Sequence, residues 1–386
     1  VSSGVIYLDY NATTPVAPEV LEEMLPWFSQ QFWNAASAHG PGGTAAEAVD
    51  SARARIARTI SVRPSEIIFT SGATEANNLA LKGVMRSAPR TRNRILIGAT
   101  EHKAVLDTAE FLRSQGFELQ IIPVDPTGAV GLGQLLPLLD QRTALVSVMA
   151  ANNETGALAP IEQLASATHE VGAVFHTDAT QALGRIPLDL VALGVDLASF
   201  SAHKLYGPKG VGGLFVNRKV HLEAQLHGGG HERGFRSGTL NVPGIVGFGA
   251  AAQFAESRLA TESLRQEKLI GRFLHGFSSE TDALRVVTGQ GPRLPNTVNI
   301  RVTGADAEAV MANATSVAIS SGSACTSLAP TPSHVLTAMG LSSDEAYECL
   351  RISVGSPTTE AQIDQAVIQL LGAIARVRDY AEAVPA

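Results

Sequence analysis

The feature that most restricts the fold of this chain is a repeated rhythm. Short runs of branched apolar residues end in polar or glycine-bearing turns, and a helical pattern follows each turn. Ile67-Ile68-Phe69 passes through Ser71-Gly72-Ala73-Thr74-Glu75 into a helical stretch over 77–85. Arg94-Ile95-Leu96-Ile97 passes through Thr100-Glu101-His102 into another that reaches Ser114. Further apolar runs cover 119–124, 144–149, 173–176 and 196–201. Strand, turn and helix recurring in this way predict an α/β fold with a mostly parallel sheet. Val49, Ala52, Ile56 and Ile60 share one helix face, as a helix packed on such a sheet requires.

After Gly244 the rhythm gives way to one long helical region that runs to Phe277. Shorter strands are expected at 297–302, 316–320 and 351–354. A last helix opens on Thr359 and Gln362, spaced as a capping box. This final third reads as a smaller α+β domain. Hydrophobic residues make up 45% of the 386 and charged residues 17%, enough for a large core in roughly two or three domains. A net charge of −7 speaks against a chain built to grip nucleic acid directly. The two cysteines, Cys325 and Cys349, make neither a disulfide scaffold nor a Cys-x-x-Cys metal pair. Val1–Val5 has no basic region with an apolar run behind it, and no apolar stretch approaches the roughly 20 residues of a membrane helix. The expectation is a soluble, cytoplasmic protein with no membrane partner.

Several segments carry candidate chemistry. Lys204 follows the apolar run ending at Ser201 and precedes the glycine-rich Tyr206-Gly207-Pro208-Lys209-Gly210. That places an amine at the carboxyl end of a strand, where parallel sheets bind ligands and where a lysine can condense with an aldehyde cofactor. Asp178 ends an earlier run, one crossover before Lys204, and could keep a pyridine nitrogen protonated; Gln181 follows it. The plainer alternative is a helix start, with Asp178 as its N-cap. The 71–75 turn has the make-up of a phosphate cup, with Thr74 adding a hydroxyl to helix N-terminal amides. His102 could stack on a ring, and Asn152 and Asn153 offer amides at the same edge. Cys325 sits among Gly, Ser and Thr, a composition that suits an exposed nucleophile, whereas Cys349 reads as core filler. Arg351 could clamp a carboxylate through paired hydrogen bonds. His227-Gly-Gly-Gly-His231 has no third ligand at a useful spacing, so no metal is expected.

Taken together, Tyr7-Leu8-Asp9-Tyr10-Asn11-Ala12-Thr13-Thr14-Pro15, Thr70 to Glu75, Glu101-His102-Lys103, His203-Lys204-Leu205-Tyr206-Gly207-Pro208-Lys209-Gly210, Arg236-Ser237-Gly238-Thr239 and Ser321 to Cys325 resemble the cysteine desulfurases of the NifS/IscS type. These are fold-type I, aspartate aminotransferase-like enzymes of pyridoxal 5'-phosphate. The resemblance implies a large cofactor-binding α/β domain over 14–257 and a small α+β domain formed by 1–13 and 258–386. It implies that Lys204 forms the Schiff base, Asp178 faces the pyridine nitrogen, Gln181 the phenolic oxygen, and His102 stacks on the ring. Ala73, Thr74, Ser201 and His203 would hold the phosphate, with Thr239 arriving from the other subunit of a homodimer. Asn153 and Arg351 would bind the carboxylate of L-cysteine. Cys325 would take the sulfur as a persulfide, and its loop resembles the mobile one of the subgroup that hands sulfur to acceptor proteins.

Two stretches depart from the pattern: Trp33-Asn34-Ala35-Ala36-Ser37 lacks the usual glycine and proline, and Ser356-Pro357 replaces a basic and an aromatic residue. The competing readings are a selenocysteine lyase or an aminotransferase on the same fold, or a non-catalytic sulfur-transfer scaffold. Iron–sulfur cluster assembly, tRNA thiolation, DNA phosphorothioation and cofactor synthesis would all draw on one persulfide.

Overall fold

The structure, a computed structural model, describes residues 4–278, 284–289, 291–321 and 331–383. After a short strand β1 (Ile6–Tyr7), the chain lays down β2 (Ile67–Thr70), β3 (Arg94–Gly98), β4 (Glu118–Ile122), β5 (Thr143–Ser147), β6 (Val174–Asp178), β7 (Leu197–Ser201) and β8 (Gly212–Val216). The last seven form one sheet in the order β2-β8-β7-β6-β5-β3-β4. Neighbours from β4 to β7 pair parallel, while β8 runs antiparallel to both β7 and β2. Six of the seven strands therefore point the same way, and the sheet is mixed only through β8.

Side-chain alternation makes this a three-layer structure. Ile67, Phe69, Leu96, Val146, Phe175 and Phe200 face one core, which includes Val49, Ile56 and Phe248 from the helices Gly40–Thr59 and Val242–Gly276. Ile68, Ile95, Ile97, Leu145, Leu197 and Leu214 face the other, packed with Leu79, Val84 and Leu112 from the helices Ala73–Ser87 and Lys103–Ser114. Successive residues of one strand thus serve opposite cores, as the pleat dictates. Within the sheet, buried His176 joins three strands, its Nδ1 2.8 Å from Ser147 Oγ and its Nε2 3.0 Å from Ser199 Oγ. Burial pushes its pKa down to about 4, so the ring is neutral.

The rest of the chain forms a second core. β9 (Leu284–Val286), β10 (Thr297–Val302), β11 (Val317–Ala318), β12 (Ser320–Ser321) and β13 (Cys349–Ser353) follow in sequence. The antiparallel sheet β12-β13-β10-β9 packs Val298, Ile300 and Ile352 against Ile363, Leu370 and Ile374 of the last helix, Glu360–Ala383. The expected capping box is present: Thr359 N–H donates to Gln362 Oε1 at 3.0 Å, and Gln362 N–H to Thr359 Oγ1 at 3.2 Å. The amino-terminal Ile6 and Leu8 belong to this second core, because β1 pairs parallel with β11. The helix Val242–Gly276 serves both cores, with Val242, Ile245 and Phe248 in the first and Leu269, Ile270 and Phe273 in the second. The stretch expected as one strand over 316–320 is two: 317–318 joins β1 and 320–321 joins β13.

Candidate active site

The carboxyl ends of β2, β3, β5, β6 and β7 open into a cavity of about 710 Å³. A pocket of that size suits a small cofactor together with a substrate. It lies at a switch point of the sheet, since β3 and β5 are neighbours whose following chain leaves in different directions. Asn11, Ala73, Thr74, His102, Asn153, Asp178, Gln181, Ser201, His203, Lys204 and Arg351 all line it. Most of these residues meet because each follows or ends a strand of the same sheet edge, while Asn11 enters from the segment after β1 and Arg351 from β13 of the second sheet.

Lys204 closes a single 3-10 turn, Ala202–Lys204, directly after β7. Its Nζ donates to the backbone oxygens of Asn11 and Ala12, each at 2.7 Å. Burial, reinforced by the Arg185 and Arg351 guanidiniums, brings its pKa down to about 7. A lysine tuned in this way is partly the free amine near neutrality, the nucleophilic form.

Asp178 ends β6, and both of its oxygens accept: Oδ2 from Asn77 Nδ2 at 2.7 Å and Oδ1 from Thr180 N–H at 2.9 Å. It is buried, and its carboxylate faces the same cavity as Lys204. Gln181 is steered by two partners, donating from Nε2 to Asn11 O at 3.1 Å while Oε1 accepts from Arg185 Nη1. His102 is the N-cap of the helix Lys103–Ser114, where its Nδ1 accepts from Ala104 N–H at 3.1 Å.

At the other end of the cavity, the helix Ala73–Ser87 starts with Gly72 as N-cap and no capping side chain. Its first amides are left for a ligand. A side chain on Gly212 would fall 2.4 Å from Phe200 O and 2.6 Å from Gly72 Cα, so β8 can approach the cup only as glycine. Burial alone would raise Glu75 in this turn, but Arg236 and Ser71 hold it below the usual carboxylate range. His203 contacts Thr13 Oγ1 through Nδ1 at 3.1 Å, and burial with the nearby Lys204 charge brings it down to about 4. Arg351, on β13, pairs with Asp9 Oδ1 at 2.5 Å and donates to Asn153 O at 3.1 Å. Its buried Nε has no protein partner among the described residues.

Three expected residues are not in this constellation. Asn152 is buried and does not line the cavity, its Nδ2 donating to Thr100 O at 3.0 Å. Thr239 is exposed and does not line the cavity of its own chain. Cys325 lies outside the described residues. Several contributors carried no signal of their own in the sequence. Arg185 is buried and ties Asn11, Gln181, Tyr10 O and Lys204 O into one network. Asn11 and Asn77 hold Lys204 and Asp178. Glu101 and Glu154 are buried carboxyls, the first pushed well above its usual pKa by burial and by the charge of Asp178, the second raised by burial to about 7.

The sequence profile of the Aminotransferase class-V family matches residues 6–366. The chain belongs to that family. A protein of Anaeromyxobacter sp. (strain Fw109-5) named cysteine desulfurase IscS is 47% identical over 377 residues, covering 97% of this chain and 93% of the relative. The solved structure of a NifS-like protein superposes with a TM-score of 0.89 at 36% identity, covering 98% of this chain and 100% of that one. SspA, solved in complex with cysteine, gives a TM-score of 0.79 at 37% identity, covering 90% and 98%. The fold is that of the fold-type I pyridoxal-phosphate enzymes, and the family uses that cofactor. The site suits it, offering an uncapped helix start for a dianion, a buried carboxylate and an amine near neutrality in one cavity.

The lowered pKa of Lys204 has a kinetic consequence. With Lys204 as the amine that would condense with pyridoxal phosphate, capture by the cofactor-free protein should speed up as pH rises through about 7 and then level off, since the neutral amine is the reacting form. Stopped-flow absorbance follows this directly. A rate still climbing towards pH ~10 would mean that Lys204 titrates as an ordinary lysine.

Proposed function

We propose that this protein is a cysteine desulfurase, which removes sulfur from L-cysteine, releases L-alanine and leaves a persulfide on Cys325. The observation that carries this reading is the meeting of Lys204, Asp178 and Arg351 in one cavity. The near-full-length likeness to proteins named cysteine desulfurase supports it. Pyridoxal phosphate, when bound, supplies an electron sink for charge developing at the substrate Cα.

The chain's residues divide the remaining work. Lys204 would hold the cofactor through its amine, and that amine would move the proton at the substrate Cα. Asp178 would pair with the pyridine nitrogen and Gln181 with the phenolic oxygen, and His102 would stack on the ring. Ala73, Thr74, Ser201 and His203 would hold the phosphate, joined in a homodimer by Thr239 of the partner subunit. Arg351 and Asn153 bind the substrate carboxylate, which requires Arg351 to share its charge between Asp9 and the ligand. Cys325, as thiolate, attacks the substrate sulfur. The Cβ–S bond breaks, an S–S bond forms, and Cβ takes up a proton, so that cysteine and a thiol become alanine and a persulfide.

In this reading 14–257 forms the large domain, and 1–13 with 258–386 the small one. The persulfide passes to acceptor proteins in the cytoplasm for iron–sulfur cluster assembly or another thiolation. The test is to incubate the purified holoenzyme with L-cysteine and a reductant and to measure both products. Alanine and sulfide in equal amounts, with no keto acid added, are expected. Turnover that needs a keto acid and releases no sulfide would make the protein an aminotransferase instead.

A further inference from the structure

Just past Cys325 in the sequence, two adjacent side chains cross to different walls of the cavity. Ser333 is the N-cap of the helix His334–Ala338, and its Oγ accepts from the amides of Val335 and Leu336 at 3.1 and 3.2 Å. That leaves its hydroxyl proton to donate to Glu154 Oε2, 2.5 Å away. Both residues are buried, and Glu154 lines the cavity directly after Asn153.

His334 reaches the opposite side, its Nε2 lying 2.9 Å from the backbone oxygen of Glu101. A carbonyl only accepts, so the ring must carry its proton on Nε2. Glu101 directly precedes His102, and its own Oε1 accepts from Met149 N–H at 2.5 Å. The wall after β3 and the wall after β5 are thereby joined to each other and to one point of the chain.

We propose that Ser333 and His334 are positioning residues, forming a two-point latch that fixes where the chain following Cys325 meets the walls bearing Asn153 and His102. This inference rests on the desulfurase reading, in which the thiol must meet the substrate sulfur at the place those walls define. Pinning one end of a tether raises the effective concentration of the group it carries.

The test compares donor-deleting with donor-preserving variants in the holoenzyme. Ser333→Ala and His334→Phe each remove one pin, whereas Ser333→Thr and His334→Gln keep a donor. His334→Phe leaves the serine cap in place, so the latch stays testable if Ser333→Ala fails to fold. The first readout is the rate at which iodoacetamide labels Cys325 without substrate, followed on its own peptide by mass spectrometry. The second is kcat and KM for alanine formation.

One hydrogen bond is worth a factor of roughly 2 to 10, so labelling about threefold faster and kcat about fivefold lower are expected in the Ala and Phe variants. KM should stay within about twofold, and the Thr and Gln variants should match the wild type. Unchanged labelling in the Ala and Phe variants would overturn the latch. So would Thr and Gln variants as impaired as Ala and Phe, because packing would then explain the effect. A wild-type protein that forms no alanine would instead overturn the desulfurase reading, with the labelling comparison alone deciding the latch.

Discussion

Cys325→Ser is expected to stop sulfur transfer while leaving a folded protein that still binds cofactor and L-cysteine. The other cysteine has no means of replacing it. Cys349 is fully buried at the start of β13, and its thiol donates to Glu345 O at 3.2 Å. Burial pushes its pKa up to about 12, so it stays protonated and unreactive near neutrality. A serine hydroxyl at position 325 is a far weaker nucleophile towards sulfur than a thiolate. The fall in alanine formation should be at least about 1,000-fold, the scale on which covalent catalysis fails when its nucleophile is removed. Alanine release and a mass shift of one sulfur on the 325 peptide measure the effect. A serine variant that releases sulfide at the wild-type rate would remove Cys325 from the reaction.

Asp178→Asn should cost on the order of 100-fold in kcat, the usual size of losing one preorganised electrostatic group. The reasoning turns on its neighbours. Asp178 accepts from Asn77 Nδ2 and Thr180 N–H, so an asparagine must turn one donor towards a donor. Asn77 can absorb the change by rotating its amide, because its buried Oδ1 has no partner among the described residues. The variant is therefore expected to fold and to form the same cavity, without the charge that would steady a protonated pyridine nitrogen. Cofactor content close to wild type with a low kcat is the expected pair of results. A kcat within about threefold of wild type would show that the carboxylate's charge is not used.

The fold was legible in the sequence wherever an element had its own periodicity. The strand expected over 297–302 is β10, and the long helical region after Gly244 is the helix Val242–Gly276. The elements that escaped were those defined by distant partners. β8 begins with two glycines, which weaken any strand signal, yet Gly212 is what lets β8 lie against Gly72. The two-residue strands of 317–321 have no period to read, and they join different sheets because Ile6–Tyr7 claims the first and β13 the second.

The site divided along the same line. Lys204, Asp178 and His102 were visible because each follows or ends an apolar run. Arg185, Asn11 and Asn77 were not, since each acts through hydrogen bonds to residues remote in sequence. Glu101 stood in plain view inside a quoted segment and Glu154 directly after Asn153, but only burial gives their carboxyls meaning.

The helix Val242–Gly276 has a bearing on how the molecule comes apart. At 35 residues it is a rod about 52 Å long, seated at one end in the core beneath the large sheet and at the other in the core of the small one. A helix of that length owes its stability to the faces it buries. Melting either core would strip half the rod of its support and hand the strain to the other. The two halves of the chain are thus expected to lose structure together, even though each has hydrophobic packing of its own, and calorimetry showing one transition would confirm it.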